Sequence, residues 1–139
     1  MDEPVRIFYR ALLRSGFQHA GSFENPSIFL DSIGEKIAIC TQSARYYIHL
    51  YIDIKEDIVE NIKYLCICDP VSNVAVEVLC SLIKGKTLND ARSISEDAFS
   101  QVVGGRSEDL LKSARGLLEL LNRGIARYQG EEDEKSKLT

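Results

Sequence analysis

The sequence predicts an α+β domain in which helices pack on one face of a three-stranded antiparallel sheet. Three observations support this fold class. A helical pattern opens the chain, three extended segments follow without a helix between them, and the remaining chain returns to helical periodicity. Strands joined by short turns pair antiparallel, so the extended segments are expected to form one sheet.

The first helix is predicted from Pro4 to Arg14. Proline suits a first helical position, and Ser15 and Gly16 end the pattern. The apolar residues that recur at three-to-four spacing are Val5, Phe8, Tyr9, Leu12 and Leu13. The following residues, 17–34, are rich in glycine, serine and asparagine, and they are expected to form a loop.

Three strands are predicted in the middle of the chain. The first covers Glu35 to Thr41, and the third covers Ile58 to Cys68. The second, Arg45 to Ile54, alternates between aliphatic residues and residues such as tyrosine, histidine and aspartate. That alternation is typical of a strand with one covered face and one exposed face. The charged residues 55–57 are expected to form the hairpin turn between the second and third strands.

Helices are predicted for the rest of the chain. One runs from Pro70 to about Ile83, with Asp69 as its cap. Two short helices start at Thr87 and Ser95, and a long helix runs from Ser107 to about Tyr128. These helices are expected to cover the apolar face of the sheet.

Length and composition predict a single domain, residues 1–129, followed by a charged tail, residues 130–139, that is expected to be disordered. The 139 residues are 45% hydrophobic and 27% charged, with a formal net charge of −4. An acidic chain argues against a nucleic-acid partner, and no apolar run is long enough to span a membrane. The first residues lack the features of a signal peptide, so a cytoplasmic protein is expected.

Cysteines fall at the ends of two predicted strands. Cys40 comes near the end of the first, and Cys66 and Cys68 share one face at the end of the third. Asp69 follows directly and could serve as a helix cap or as a ligand. Thiolates suit zinc, copper(I) and iron–sulfur clusters, so the sequence predicts a site that handles sulfur or metal. Cys80 lies inside an apolar helical run and is expected to be a core residue.

Three short motifs resemble those of a known family. They are Phe23-Glu24-Asn25-Pro26 after the first helix, Ile83-Lys84-Gly85-Lys86-Thr87-Leu88, and Ala126-Arg127-Tyr128 near the end of the last helix. They resemble the iron–sulfur cluster scaffold family of IscU and the NifU amino-terminal domain, which has the SufE/NifU-like fold. The resemblance implies a non-enzymatic scaffold or carrier, a transient [2Fe–2S] cluster, a cysteine desulfurase as sulfur donor and apo iron–sulfur proteins as acceptors. A homodimer is left open.

The resemblance also implies a set of ligands. Three cysteines and an aspartate hold the cluster in that family, and Cys40 stands in the place of the first cysteine. Gln42 replaces the aspartate, Ser113 replaces the third cysteine, and the second cysteine's place falls on one of the two thiols of the third strand. A rearranged site is therefore expected, in which the candidate metal ligands are Cys40, Cys66, Cys68 and Asp69.

Two alternatives are left open by these residues. The first is a sulfur acceptor that resembles SufE and carries a persulfide on Cys40. The second is a binding module that retains the fold without cluster chemistry and could hold zinc structurally.

Overall fold

A computed structural model of the protein describes residues 1–39 and 45–138, with side chains up to residue 130. These residues form five helices and three strands. The helices are α1 (Glu3–Ser15), α2 (Pro70–Ile83), α3 (Leu88–Arg92), α4 (Glu96–Val103) and α5 (Glu108–Leu138), and the strands are β1 (Ile28–Asp31), β2 (Tyr47–Lys55) and β3 (Ile58–Ile67). No helix in this part of the chain is both long and apolar enough to cross a membrane.

The three strands form one antiparallel sheet in the order β1-β2-β3. Leu50 in the central strand lies opposite Leu30 on one side and Tyr64 on the other. Glu56 and Asp57 in the hairpin turn both have positive φ, 52° and 66°. Two such residues are typical of the turn whose twist matches that of paired strands. The predicted fold class is thus confirmed.

The first strand differs from its prediction. It was expected over Glu35–Thr41, but β1 lies at Ile28–Asp31, inside the segment expected to be a loop. Residues 32–36 form turns instead, and Lys36 has a φ of 57°, a left-handed conformation that interrupts an extended run. A strand of four residues is too short to produce a clear alternating pattern. The predicted strand from Cys40 onward lies outside the described residues.

The core fills the space between one face of the sheet and helices α2 and α5. Helix α2 packs against β3 and α5, and α5 also packs against β1. Side chains that the central strand buries completely are Ile48, Leu50 and Ile52. The opposite face of that strand is only partly covered. Helices therefore cover one face of the sheet, as predicted.

Local hydrogen bonds set the beginnings of the helices. The backbone N–H of Ser72 donates to Asp69 Oδ1 over 2.8 Å, so the predicted cap of α2 is confirmed. Thr87 caps α3 through the N–H of Asp90. Ser107 accepts from the N–H of Leu110 in the first turn of α5. These caps place the start of α2 and the start of α5 in defined positions.

The last helix is longer than predicted. It was expected to end at about Tyr128, but α5 continues to Leu138. The added residues, 129–138, are rich in glutamate and lysine, which have high helix propensity. The segment expected to be a disordered tail is therefore helical up to Leu138.

Candidate functional site

A cleft lies where the start of α2 meets the start of α5. Its volume is about 250 Å³, and it is lined by Met1, Asp69, Pro70, Val71, Asp109, Lys112 and Ser113. The cleft brings together Asp69, a predicted ligand or cap, and Ser113, which the sequence resemblance aligns with the family's third cysteine. These residues are far apart in the sequence, and the packing of α2 against α5 brings them together.

Hydroxyl groups behind the cleft hold the backbone of Ile39. The Ser113 hydroxyl lies 3.4 Å from the carbonyl oxygen of Ile39 and 3.1 Å from the Ser72 hydroxyl. Ser72 Oγ lies 3.2 Å from Asp69 Oδ2. One consistent assignment has Ser113 donating to Ile39 and Ser72 donating to the carboxylate. Ile39, the residue before Cys40, therefore lies next to the cleft.

A glycine on α5 allows this approach. A β-carbon on Gly116 would lie 3.0 Å from Ile39 Cγ1 and 3.1 Å from the carbonyl oxygen of Ala38. The second contact involves backbone, which cannot move aside as a flexible side chain can. Gly116 thus permits close packing of residues 38 and 39 against the helix.

Two arginines of α5 hold the same segment farther back. Arg127 Nη2 lies 2.7 Å from Glu35 Oε1, and Arg123 Nη1 donates to the carbonyl oxygen of Glu35 over 2.8 Å. The hydrogen bond from Arg127 holds the pKa of Glu35 below its ordinary value, and the charges of both arginines act in the same direction. Residues 35–39 are consequently attached to α5 at both ends.

The two thiols at the end of β3 lie in different surroundings. Cys66 faces the core opposite Ile48, and its sulfur lies 3.8 Å from Asn73 Oδ1 of α2. Cys68 is partly buried, follows the last residue of β3 and immediately precedes Asp69. Neither thiol lines the cleft, but Cys68 is the residue before Asp69 in the sequence, and Asp69 does line it.

A second polar cluster lies on another side of α2, and it is called the Glu77 cluster below. Its members are His19, Tyr64, Asn73 and Glu77. His19 Nδ1 and its backbone N–H lie 2.9 and 3.1 Å from Glu77 Oε1, and the Tyr64 hydroxyl donates to Asn73 Oδ1 over 3.0 Å. Glu77 is only 4% exposed, and its Oε2 has no hydrogen-bond partner among the described residues.

The Glu77 cluster also affects neighbouring acids. Burial, and then the nearby carboxylate of Glu77, raise the pKa of Tyr64 far above its ordinary value. The same two causes raise the pKa of the Cys80 thiol, which is completely buried as predicted. Both groups therefore stay protonated at neutral pH. Within the cluster, Tyr64 and Glu77 are buried, whereas His19 and Asn73 are half-buried.

The described donors do not form a complete metal site. Among described side chains, no three histidine, cysteine, aspartate or glutamate residues form a group that could hold a metal ion. Cys68 and Asp69 offer two adjacent donors, while the buried Ser113 hydroxyl is engaged with Ile39. A full ligand set would need Cys40, whose predicted role lies outside the described residues, as does the substitution at Gln42.

Three residues of this region, Ser72, Gly116 and Glu35, were not predicted from the sequence. Gly116 carried a usable signal, because a glycine within an otherwise strong helical pattern often marks a close approach of another segment. Ser72 and Glu35 carried none, since both depend on contacts with residues more than thirty positions away.

Comparison with known families identifies the domain. The family described as NifU-like N terminal domain matches residues 18–135 of the chain. The chain belongs to this family. The predicted membership is confirmed, and it covers the sheet, the cleft and most of α5.

Solved structures with this fold include two bacterial proteins. One, from the thermophile Fervidobacterium islandicum, is named as a candidate iron–sulfur cluster assembly scaffold for the SUF system. Its sequence is 14% identical to this chain, and the TM-score is 0.60. The match covers 90% of this chain and 96% of the Fervidobacterium chain. The other is a nitrogen-fixing NifU-like protein (N-terminal) from Brucella abortus, which is 14% identical, with a TM-score of 0.57. The match covers 96% of this chain and 94% of the Brucella chain. A comparison with curated proteins found no significant match. At this identity the solved structures show the fold alone.

Proposed function

We propose that this chain is a non-enzymatic scaffold for iron–sulfur cluster assembly. One observation carries the proposal: Asp69 and Ser113 line one cleft, and the carbonyl oxygen of Ile39 lies 3.4 Å from the Ser113 hydroxyl behind it. Ile39 precedes Cys40, Asp69 follows Cys68, and Ser113 occupies the family's third ligand position. Membership of the NifU-like family and the naming of the Fervidobacterium protein support the same function.

The proposed ligands are Cys40, Cys68 and Asp69, and the cargo is a [2Fe–2S] cluster, with zinc as the other metal considered. Thiolates are the usual ligands of such clusters, and a carboxylate beside them completes an anionic donor set. Cys66 is assigned a lesser role, because its thiol lies against Asn73 and the core. A cysteine desulfurase would supply the sulfur, and apo iron–sulfur proteins would receive the cluster.

Ser113 is assigned a positioning role in this proposal. Its hydroxyl lies 3.4 Å from the carbonyl oxygen of Ile39 and 3.1 Å from the Ser72 hydroxyl, so it positions the segment before Cys40 instead of binding iron. Asp69 has two roles, because Oδ1 caps α2 and Oδ2 accepts from Ser72. The carboxylate retains further lone pairs for a metal at the mouth of the cleft.

The hydroxyl at Ser113 also favours the second candidate, a sulfur carrier. A persulfide carrier needs a single thiol, and Cys40 would supply it. In that reaction the Cys40 thiolate attacks the outer sulfur of the desulfurase persulfide. The new persulfide forms on Cys40, and the desulfurase cysteine leaves as a thiolate.

Anaerobic reconstitution tests the proposal. The full chain is incubated with ferrous iron, a cysteine desulfurase and cysteine, then repurified and analysed for iron and acid-labile sulfide. We expect both to bind stoichiometrically, to be lost in Cys40→Ser, and to be retained in Cys80→Ala, which changes a core thiol. A persulfide on Cys40 without iron would support the sulfur carrier. Binding of neither iron nor sulfur would contradict both and leave the fold-retaining binding module.

The cytoplasmic location and the domain boundary at residue 129 stay predictions. The same is true of a homodimer.

A further inference from the structure

A second cavity adjoins the cleft along α5, and we call it the basic groove. It is lined by residues 36–38 and by Lys112, Arg115, Gly116 and Glu119 of α5, and its volume is about 300 Å³. Lys112 also lines the cleft, so the two cavities meet at this residue. The volume of the groove lies at the lower end of small-molecule sites, which span about 300–1,000 Å³.

Two lysines give the basic groove its charge. Lys36 and Lys112 are both exposed, and among the described residues neither forms an ion pair with a carboxylate. Arg115, in contrast, pairs with Glu96 over 2.7 Å, and Glu119 is paired within α5. The two ammonium groups therefore favour an anionic ligand in the groove.

The candidate site beside the groove has fewer thiolates than a cluster normally takes. A [2Fe–2S] cluster is usually held by four cysteine thiolates, whereas the proposed ligands are Cys40, Cys68 and Asp69. The chain has two other cysteines, but Cys80 is completely buried and Cys66 packs against the core. A fourth ligand that is a thiolate would therefore have to come from another molecule.

Other side chains near the cleft do not take the fourth place. Ser113 is 5% exposed, and its hydroxyl lies 3.4 Å from the carbonyl oxygen of Ile39. Asp109 lines the cleft, but among described side chains no three histidine, cysteine, aspartate or glutamate residues form a group that could hold a metal ion. Residues 41–44 contain none of these four residue types. Ser113, aligned with the family's third cysteine, is next to Lys112, where the cleft and the groove meet.

We propose that the basic groove binds a small thiol that carries carboxylates, and that this thiol supplies the fourth ligand of the cluster. Lys36 and Lys112 bind the carboxylates through charge-assisted hydrogen bonds. The sulfur binds iron as a thiolate, and its proton is released to solvent, so no electron is transferred. The inference rests on the proposed function, because it requires a cluster at the cleft.

Reconstitution with glutathione as the probe tests the inference on the full chain. Glutathione has a thiol and two carboxylates. Ferric iron and inorganic sulfide form the cluster without a further oxidant, and they replace the desulfurase reaction because its substrate, cysteine, is itself a thiol with a carboxylate. We expect stoichiometric iron and sulfide only when glutathione is added. Mass analysis of the repurified protein is expected to find a single glutathione for each cluster.

Two analogues separate the thiol from the carboxylates. Mercaptoethanol has a thiol and no carboxylate, so at equal concentration it is expected to support loading at least about tenfold less well than glutathione. S-methylglutathione has the carboxylates and no free thiol. It is expected to bind the apo protein in isothermal titration calorimetry and to inhibit loading with glutathione.

A pair of charge variants locates the ligand. Lys36→Glu with Lys112→Glu is expected to raise the glutathione concentration for half-maximal loading at least about tenfold, because both cations are replaced by anions. Lys84→Glu with Lys86→Glu changes the net charge by the same amount at an exposed corner. This control is expected to load like the unchanged chain. Circular dichroism checks that both variants fold.

The outcomes distinguish this inference from the proposed function. Equal loading with and without glutathione would overturn the inference and leave the cluster scaffold intact. Equal loading with mercaptoethanol and glutathione, or an unchanged glutathione dependence in the Lys36 and Lys112 variant, would also overturn it, because the groove would then not bind the thiol. Absence of a cluster under every condition would contradict the proposed function and the inference together.

Discussion

Two polar clusters lie on different sides of helix α2. One is next to Cys66, which lies in β3, and the other is next to Cys68, which follows β3. The cleft cluster consists of Asp69, Ser72 and Ser113, and it opens to solvent beside Cys68. The Glu77 cluster lies beside Cys66, and its carboxylate is only 4% exposed. Ser72 and Asn73 are consecutive residues about 100° apart around the helix, so the two clusters point in different directions.

The difference shows that polar groups next to a thiol do not by themselves make a functional site. The Glu77 cluster holds the chain before β1 against the sheet, because Tyr64 N–H donates to the His19 carbonyl and Gly21 N–H donates to that of Tyr64. Its polar groups therefore serve the fold. In the cleft cluster, by contrast, the Asp69 carboxylate lies at an opening, and Ile39, the residue before Cys40, is held behind it.

The largest expected contrast concerns the two thiols. Cys68→Ser is expected to lower the iron bound after anaerobic reconstitution at least about tenfold, because it removes a ligand. Cys66→Ser is expected to change it less than about twofold, since that thiol contacts Asn73. Iron analysis of both variants, with circular dichroism as a control for folding, makes the comparison. An equal loss of bound iron in the Cys66 and Cys68 variants would contradict the different roles assigned to the two clusters.

Breaking the Glu77 cluster is expected to cost stability without affecting the cargo. His19→Ala leaves a buried carboxylate with fewer donors, so we expect a loss of about 2–3 kcal/mol in the free energy of unfolding. Ser113→Ala removes a neutral hydrogen bond and is expected to cost about 1 kcal/mol. Urea denaturation measures both. A smaller loss for His19→Ala than for Ser113→Ala would contradict this assignment.

The close approach at Gly116 offers a paired test within one helix. Gly116→Ala forces residues 38 and 39 away from α5, and we expect a cost of about 1–2 kcal/mol together with reduced loading. Gly130→Ala is the control, because nothing lies within 4 Å of a β-carbon there. Alanine favours the helix, so this change is expected to stabilise by up to about 1 kcal/mol. Thermal unfolding of the two variants should move in opposite directions.

Two substitutions separate the roles of Asp69. Asparagine caps helices as well as aspartate does, so Asp69→Asn is expected to keep stability, while Asp69→Ala loses about 1 kcal/mol. Both remove the negative charge, and both are expected to bind less iron. Full loading of Asp69→Asn would show that the residue is a cap and not a ligand.

The smallest effect concerns pH. The pKa of Glu35 lies below its ordinary value of 4.5, so its ion pairs stabilise the native state above that pH. The stabilisation is lost as the pH falls through the lowered pKa, when the carboxylate becomes protonated. At pH 7 the unchanged chain should therefore have a larger free energy of unfolding than Glu35→Gln, and this difference in free energy should disappear at low pH. A gap that is independent of pH would exclude this linkage.

Local patterns allowed much of the fold to be predicted. Strand β2 showed a regular alternation, and the caps at Asp69 and Thr87 carry their signal within three residues. Strand β1 could not be found, because four residues carry too little periodicity and its pairing depends on β2. Asp69 and Ser113 line the same cleft because α2 packs on α5. In the sequence, only the resemblance to the family indicated that packing.

The Glu77 cluster could not be predicted at all. Glu77 lies in an apolar helix, and its partner His19 is 58 positions away in a segment without regular structure. No local rule connects such residues. Strand periodicity places Cys66 and Cys68 on one face, so from the sequence Cys68 is favoured only slightly, by its position before the start of α2. The contact of Cys66 with Asn73 appears only in the structure.

The proposed site requires the thiols of Cys40 and Cys68 to lie close together at the cleft. Brief oxidation of the apo protein, followed by peptide mapping of disulfides, tests this requirement, because a disulfide forms only between cysteines whose α-carbons lie within about 7 Å. We expect a bond between Cys40 and Cys68. A bond between Cys40 and Cys66, or no bond to Cys40 at all, would contradict it.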